Sequence, residues 1–595
     1  MKSRIMSEED LSFLLYDWLD VESLTKRSRY QDHSRETFEA IMDLAEQLAE
    51  RDFAPHNREG DANEPWFDGT KVHIIPEVSQ ALRALAESGL TTATLDAELG
   101  GGQLPHVVGR AASTWLQAAN LATATYPALS IANANLLLAH GSAEQVDRFV
   151  RPVIDGRAFG TMCLSEPQAG SSLADVVTRA VLADDGSYRI FGSKMWISAG
   201  DHELSENIIH LVLARTPGAP AGVKGISLFI VPKFLVNADG SLGERNDVVL
   251  AGVNHKMGYR GTVNTILNFG EGAYQPSGEP GAIGYLVGEE HHGLAYMFHM
   301  MNEARIGVGA AAVALGYTGY LHALDYARNR PQGRLVWEKD PSSPPVPIVK
   351  HADVRRMLLA SKSYVEGGLA LVLYAARLLD EEVTAEDEGG RERASLLLDV
   401  LTPIVKAWPS QWCLKANDYA IQVHGGYGYT REYPVEQFYR DNRLNSIHEG
   451  TDGIQGLDLL GRKVTMNAGA GLRALYEEVA QTCSRATGQM AEHAKDLQAA
   501  MDRIAMVTAT LWADRDPRIA LANSTLYADA VGHVVIAWMW LEQMLACEGR
   551  EGSFFDGKRA AGCYFFDFEL PRIQPNLDLL QRRDTTFVDL DDSCL

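Results

Sequence analysis

Basic residues are scarce, and the cysteines neither pair nor cluster. Against 78 Asp and Glu stand 54 Lys and Arg, a formal charge of −24 with a pI near 5.2. A nucleic-acid partner needs a basic surface to neutralise phosphates, so this balance argues against one. Small anionic ligands stay open, because a local arginine or a helix N-terminus is enough to hold them. The six cysteines (Cys163, Cys413, Cys483, Cys547, Cys563, Cys594) form no Cys-x-x-Cys pair. That pattern offers no zinc site, hence no expected metal, and reads as reduced thiols in a cytoplasm-like compartment. The opening "MKSRIMSEEDLSFLLYDWLD" carries acids early and has no long apolar run, unlike a secretory signal. The most apolar later stretch, "AVGHVVIAWMWLEQMLA" from Ala530, is broken by Gly532, His533 and Glu542. It reads as a buried or interface helix, not a membrane span. No repeat and no low-complexity tract is present.

With 595 residues, 46% hydrophobic and 22% charged, the chain has the composition of a soluble globular protein of two to four units. Up to about residue 157 the apolar spacing is helical. "RETFEAIMDLAEQLAERDFAP" is expected to stop at its proline, "IIPEVSQALRALAESGL" at Gly89, and "PALSIANANLLLAHGSAEQVDRFVRPVIDG" to split near Gly141. From 158 to 275 the chain favours strands, with a hairpin signal at Asp184-Asp185-Gly186 and β-branched runs such as "NIIHLVLART" and "GISLFIVPKFLV". This block predicts an antiparallel β-domain. Helical spacing returns over 276–465, where Val354, Met357, Leu358, Ser361, Val365, Leu369, Val372, Ala376 and Leu379 mark one face of a long helix. "RPQGRLVWEKDPSSPPVPIV" and "DEEVTAEDEGGRER" read as loops, and more helices fill 466–595. The expected class is α+β: an N-terminal helical domain (1–157), a middle antiparallel β-domain (158–275), a C-terminal helical bundle (276–465) and an additional helical domain (466–595).

Three stretches carry chemistry. In "TMCLSEPQAGSSLADV", residues 161 to 176, a short strand runs into a turn. Its amides and the hydroxyls of Ser165, Ser171 and Ser172 suit a flat heterocycle or phosphates, or make only a tight turn. In "KMWISAG", Trp196 is either a stacking platform or a core tryptophan. In "SIHEGTDGIQG", residues 446 to 456, Thr451 can cap the helix that follows, with Glu449 near its positive end. Alternatively Glu449, in a glycine-rich turn beside an apolar helix, serves as a base.

Taken together and in order, these motifs resemble the acyl-CoA dehydrogenase family over roughly residues 35 to 465. "ESGLTTATLDAELGGGQLP" looks like its N-terminal signature and "HGSAEQVDRFVRPVIDGRAFGTMCLSEPQAGSS" like its entry to the β-domain. "MNEARIGVGAAAVALGYTGYLHALDYARNRPQGR" resembles the helix that brings an arginine to the cofactor. "QVHGGYGYTREYPVEQFYRDNRLNSIHEGTDGIQ" resembles the cofactor-bridging loop and catalytic segment. The resemblance implies an FAD enzyme that oxidises an acyl-CoA to the trans-2-enoyl-CoA, with Glu449 as the base. A raised pKa is expected for Glu449 from burial. It further implies flavin contacts from Met162, Leu164, Ser165, Gly170, Ser171, Trp196 and Ser198, and a pyrophosphate contact from Arg330. Gln422, Gly425 and Gly426 would reach the FAD of a neighbouring subunit, and Thr451 and Gly453 would flank the adenosine–pyrophosphate. Ser171, Arg305 and Gly450 would meet the substrate, and His351 is a weaker cofactor candidate.

This chain departs from the common family pattern at Gln332-Gly333, at His448 and at Gly453, and it carries the additional C-terminal domain. These features look like a longer bacterial-type subgroup that includes methylthiopropionyl-CoA and fatty acyl-CoA enzymes. A dimer, an electron-transferring flavoprotein as electron acceptor, a cytoplasmic location and a medium- or long-chain fatty acyl-CoA are the matching expectations. "LAYMFHMMNEAR" suits an adaptable acyl tunnel or ordinary core packing. Two other functions compete: an acyl-CoA oxidase that passes electrons to oxygen, and a non-catalytic DNA-binding or scaffold member of the family.

Overall fold

A computed structural model describes residues 3–595. They divide into two compact units. One comprises the chain up to Met42, Pro105–Ala118 and Arg305–Leu595; the other comprises Asp43–Leu104 and Ala119–Ala304.

The second unit is built on eight strands: β1 (Ala158–Cys163), β2 (Arg179–Leu182), β3 (Tyr188–Ser198), β4 (Asn207–Ala214), β5 (Ser227–Pro232), β6 (Val248–Val253), β7 (Asn264–Phe269) and β8 (Ala282–Leu286). Their order is β6-β7-β3-β8-β5-β4-β1, with β2 also paired to β3. The expected hairpin joins β2 to β3, and Gly186 takes the left-handed conformation its turn requires (φ 84°). One pair departs from the expected antiparallel pattern. β1 runs parallel to β4, Ala158 opposite Asn207 through Cys163 opposite Val212. A helical crossover-free hairpin cannot produce this pairing, which needs the long connection that β2 and β3 occupy.

Strand β4 is buried on both faces, and its alternation feeds two cores. Ile209, Leu211 and Leu213 pack with Ala134, Leu136, Leu137, Val150, Met297 and Met300. Val212 and Ala214 pack with Cys163, Phe229, Val231, Leu267 and Phe269. A strand covered on both sides reads as a continuous apolar run, which is what "NIIHLVLA" is. Met297 and Met300 of the methionine-rich stretch are thus core residues.

Several helical expectations hold to the residue. Helix α1 (His106–His140) ends beside Gly141, and Ser142 opens the next helix with a capping box to Gln145. Pro76–Glu87 starts on its proline and Gly89 follows it with φ 76°. Pro55 does not end its helical run. It sits in the first turn of a short 3-10 segment, Ala54–His56, and helix resumes at Asn57–Ala62. A proline's missing N–H costs nothing in a first turn.

The first unit contains α2 (Gly293–Asn329, from Arg305 on), α3 (Ala352–Thr384), α4 (Glu388–His424), α5 (Asp452–Asp458), α6 (Ser524–Ala546) and α7 (Ser553–Tyr564). The expected face of α3 is buried from Met357 to Ala376, but so is nearly the whole circumference of its middle, Ser363 to Leu373. The extra cover is α6. A side chain at Gly367 would meet Trp540 Nε1 at 2.8 Å and Ile536 Cγ2 at 2.9 Å, and Trp540 donates to the Ser363 carbonyl at 3.0 Å. The apolar stretch from Ala530 is therefore a buried helix, as expected. No helix among the described residues is long and apolar enough to cross a membrane.

Buried charges tie distant segments of this unit together. Lys558 on α7 contacts both Asp10 and Glu366, the latter at 2.9 Å, and donates to Gln543 at 2.8 Å. Tyr317 donates to Asp10 at 2.8 Å. All these charged side chains are essentially inaccessible, so each depends on the others for its solvation. Lys558→Ala would take the ammonium away from Asp10 and leave Glu366 with Lys362 alone. We expect a loss of about 3–5 kcal/mol for this unit, read as a lower urea midpoint of tryptophan fluorescence.

Candidate active site

The turn before α5 holds a glutamate in an uncommon conformation. Glu449 has φ 55° and Gly450 φ 89°, two left-handed residues in succession. A non-glycine residue there costs on the order of 1 kcal/mol, so neighbouring bonds must hold it. Buried Gln455 supplies them, its Nε2 donating to the carbonyls of Glu449 (3.0 Å) and Gly450 (3.3 Å). A Cβ at position 450 would lie 2.6 Å from that nitrogen, so the position needs glycine. Thr451 accepts from the Ile454 N–H at 3.3 Å and caps α5. The capping role the sequence offered Thr451 is present in the structure.

A chain of side-chain amides leads to this turn from the long helices. Asn417 on α4 donates to the Leu315 carbonyl at 2.9 Å. Asn442 donates to Asn417 Oδ1 at 2.7 Å and to the Ala312 carbonyl at 3.1 Å. Asn445 donates to Asn442 Oδ1 at 3.0 Å, and His448 Nε2 lies 3.1 Å from Asn445 Oδ1. Asn417, Asn442 and Asn445 are fully buried, where satisfied amides fix one geometry. Burial pushes the His448 ring down to about 3, so it is neutral.

Glu449 is partly buried, and desolvation raises its pKa to about 7 against the pull of Arg305 and Lys406. Arg305 is buried on α2 and pairs through Nη1 with Asp458 Oδ2 of α5 at 2.9 Å. Lys406, between Pro403 and Pro409 of α4, has a fully buried side chain 3.5 Å from Asp452 Oδ1. Burial lowers its pKa to about 8, opposed by Asp452.

Elsewhere in the same unit, Arg330 joins Gly425 and Gly426. They line an open cleft of about 470 Å³ with Tyr326, Ile348, His424, Tyr427 and Thr430. Helix α4 ends here because Gly425 (φ 61°) breaks it, its N–H bonding back to Gln422. The Arg330 guanidinium stands 5.5 Å over the Tyr427 ring. Nothing would contact a Cβ at Gly425 or Gly426, so both backbones face open space. Gln422 is exposed on the last turn and does not line the cleft. His351 is taken up structurally: its Nε2 lies 2.8 Å from the Gln332 carbonyl, bracing the loop that Pro331 and Pro347 close.

The second unit gathers the other expected residues. Strand β3 carries one extra residue against β7, Ile197 facing Thr265 but Lys194 facing Leu267. The bulge puts Trp196 at φ 66° and turns its ring out, 58% exposed. A core tryptophan is thereby ruled out. The Met195 N–H donates to the Ser165 carbonyl at 3.0 Å, setting Ser165 beside Trp196. Lys194 fixes the loop below, donating to the Leu164 carbonyl (3.0 Å) and Glu166 (2.9 Å). Glu166 also accepts from Val177 N and Thr178 N. Burial would raise its pKa, but Lys194 and these donors bring it down to about 2. Met162, Leu164 and Ser165 are partly buried, Gly170 and Ser171 exposed, and Ser198 accepts from Asn264 at 3.2 Å.

Lys406, the Lys194–Glu166 pair and the asparagine chain escaped the sequence reading. A lysine inside the apolar "LTPIVKAWPS" was the available signal, since lysine is seldom buried without a task. No group of metal-binding side chains occurs among the described residues.

Models of the acyl-CoA dehydrogenase N-terminal, middle and C-terminal domains match residues 35–157, 161–270 and 291–465, and an acetyl-CoA dehydrogenase C-terminal-like model matches 475–591. The chain is 36% identical over 567 residues to 3-methylmercaptopropionyl-CoA dehydrogenase of Ruegeria pomeroyi, covering 93% of each. It is 34% identical over 610 residues to a broad-specificity linear acyl-CoA dehydrogenase, FadE5, of Mycobacterium tuberculosis, covering 98% of each. An acyl-CoA dehydrogenase from Bacillus anthracis, solved with FAD, has the same fold, with a TM-score of 0.75 at 19% identity over 96% of this chain and 91% of its own. With most of its length from residue 35 to residue 591 so matched, the chain belongs to the acyl-CoA dehydrogenase family.

Proposed function

We propose that the protein oxidises an acyl-CoA thioester to its trans-2-enoyl-CoA, with FAD as cofactor and Glu449 as the base. The observation that carries this reading is a rigidly held carboxyl whose pKa, about 7, suits proton abstraction at neutral pH. The α-proton of a thioester is weakly acidic. Glu449 takes it as the carbonyl oxygen gathers negative charge, which N–H donors in the turn would stabilise. Bound FAD supplies the acceptor for the β-hydrogen, which leaves as hydride while the carbon–carbon double bond forms.

The chain's own residues fit such a cofactor. Trp196 offers an exposed aromatic face beside the backbone of Ser165, and Met162, Leu164, Ser171 and Ser198 flank it in the same unit. Arg330 offers an exposed guanidinium to a pyrophosphate in a cleft where Gly425 and Gly426 leave room for close approach. Gln422, Gly425 and Gly426 would serve the FAD of a second copy in a dimer, and Thr451 and Gly453 would flank the adenosine–pyrophosphate. Arg305 and Gly450 would meet the thioester. Linear medium- or long-chain acyl-CoAs rank first as substrates, in keeping with the linear acyl-CoA relative. An electron-transferring flavoprotein would reoxidise the flavin, and a peroxide yield under air that matches turnover would replace it with oxygen.

Anaerobic titration with acyl-CoAs of graded length should bleach the oxidised flavin band of the purified protein. Glu449→Gln should still bind acyl-CoA but reduce flavin at least about 10²-fold more slowly. Normal reduction by that variant would move the base elsewhere. Because the free carboxyl titrates at about 7, kcat/KM should rise with pH, half-maximal near 7, falling about tenfold per unit well below it. Trp196→Ala should weaken FAD retention about two- to tenfold, measured by flavin release on dilution.

A further inference from the structure

Lys406 is a buried cation that the proton-abstraction chemistry above does not use. Its side chain is fully inaccessible, and its ammonium lies 3.5 Å from Asp452 Oδ1, with no well-formed hydrogen bond among the described residues. Burying an ammonium on one long ion pair is costly, and a structural role would be served better by an apolar side chain. Its surroundings give the placement a meaning. Ser410, one turn further along α4, accepts from Ser446 Oγ at 3.1 Å, three residues before Glu449. Asp452 reaches Lys406 itself, three residues after Glu449. The base turn is thus fastened on both sides to the same stretch of α4, with Lys406 inside the fastening.

We propose that Lys406 is the positioning residue of the base: anchored by Asp452, its buried ammonium clamps the turn and keeps the Glu449 carboxylate ionised and ready to accept a proton. This rests on the dehydrogenase reading. Two cations act on Glu449, Arg305 from α2 and Lys406 from α4. Arg305 is committed to Asp458 of α5, leaving Lys406 as the cation held by the base's own segment. His448, in the same turn, is neutral, and Arg443 acts on Asp452 rather than on Glu449. Near pH 7 Lys406 remains charged, since it loses its proton at about 8.

The test is the protonation midpoint of Glu449 in the purified holoprotein, read by infrared difference spectroscopy as the carboxylic C=O band that Glu449→Gln abolishes. Lys406→Met should raise that midpoint by about one pH unit. The double variant Lys406→Met with Asp452→Asn leaves no orphan charge to unfold the site and should shift it the same way. Lys406→Arg should hold it near the native value. The pH profile of flavin reduction by acyl-CoA should move in parallel, so that both methionine variants reduce flavin several-fold more slowly at pH 7 and recover at pH 9. Midpoints that superimpose on the native one in both methionine variants overturn the proposal. The infrared band reports the carboxyl whether or not the flavin reacts. Absence of bleaching in the native protein would therefore mark failure of the dehydrogenase reading, separately from failure of the role of Lys406.

Discussion

A carboxylate that must be both unstable as an anion and fixed in direction sets the terms for the α-helical unit. Glu449 owes its near-neutral pKa to desolvation, and its direction to a left-handed turn that an isolated peptide would abandon. Holding that turn requires the Gln455 amide, the Thr451 cap and the asparagine chain reaching back to the carbonyls of α2. Each link is a hydrogen bond of modest net worth, about 1 kcal/mol. The asparagine links are fully buried, so they have no water as an alternative partner and fix one arrangement.

The second unit solves a related problem with a different device. The proposed flavin contact calls for an exposed aromatic face, yet a tryptophan on a strand between β7 and β8 would ordinarily be covered. One inserted residue in β3 rotates Trp196 out of the pleat, and Lys194, on the other side of the bulge, is fully buried to hold the adjoining loop. The exposed indole and the hidden ion pair are two ends of one irregularity.

Much of this was legible in the residues, for identifiable reasons. Strand β4 announced itself because burial on both faces leaves no room for polar alternation, and the break at Gly141 because Ser142 and Gln145 form a local box. Glu449, Trp196 and Arg330 were found through ordered motifs that resemble a known family, not through periodicity. What stayed hidden was decided at a distance. The full burial of α3 depends on α6, more than 150 residues later, packing where Gly367 leaves space. The parallel pairing of β1 with β4 is invisible to local pattern. The apolar run around Lys406 signals that it is buried, but its partner Asp452, 46 positions later, is set by the tertiary fold.

The contact between α7 and the helix Glu8–Ser12 has a bearing on how the chain matures. Lys558 and Asp10 are 548 positions apart, and Glu366 between them shares the same ammonium. Until the ribosome has delivered α7, Asp10 near the start of the polypeptide lacks this ammonium, and Glu366 has only Lys362, four residues before it. Assembly of this unit is consequently a late, long-range event, slow in the way that distant pairings are, and a nascent chain stalled before residue 558 would present unfinished surface to chaperones.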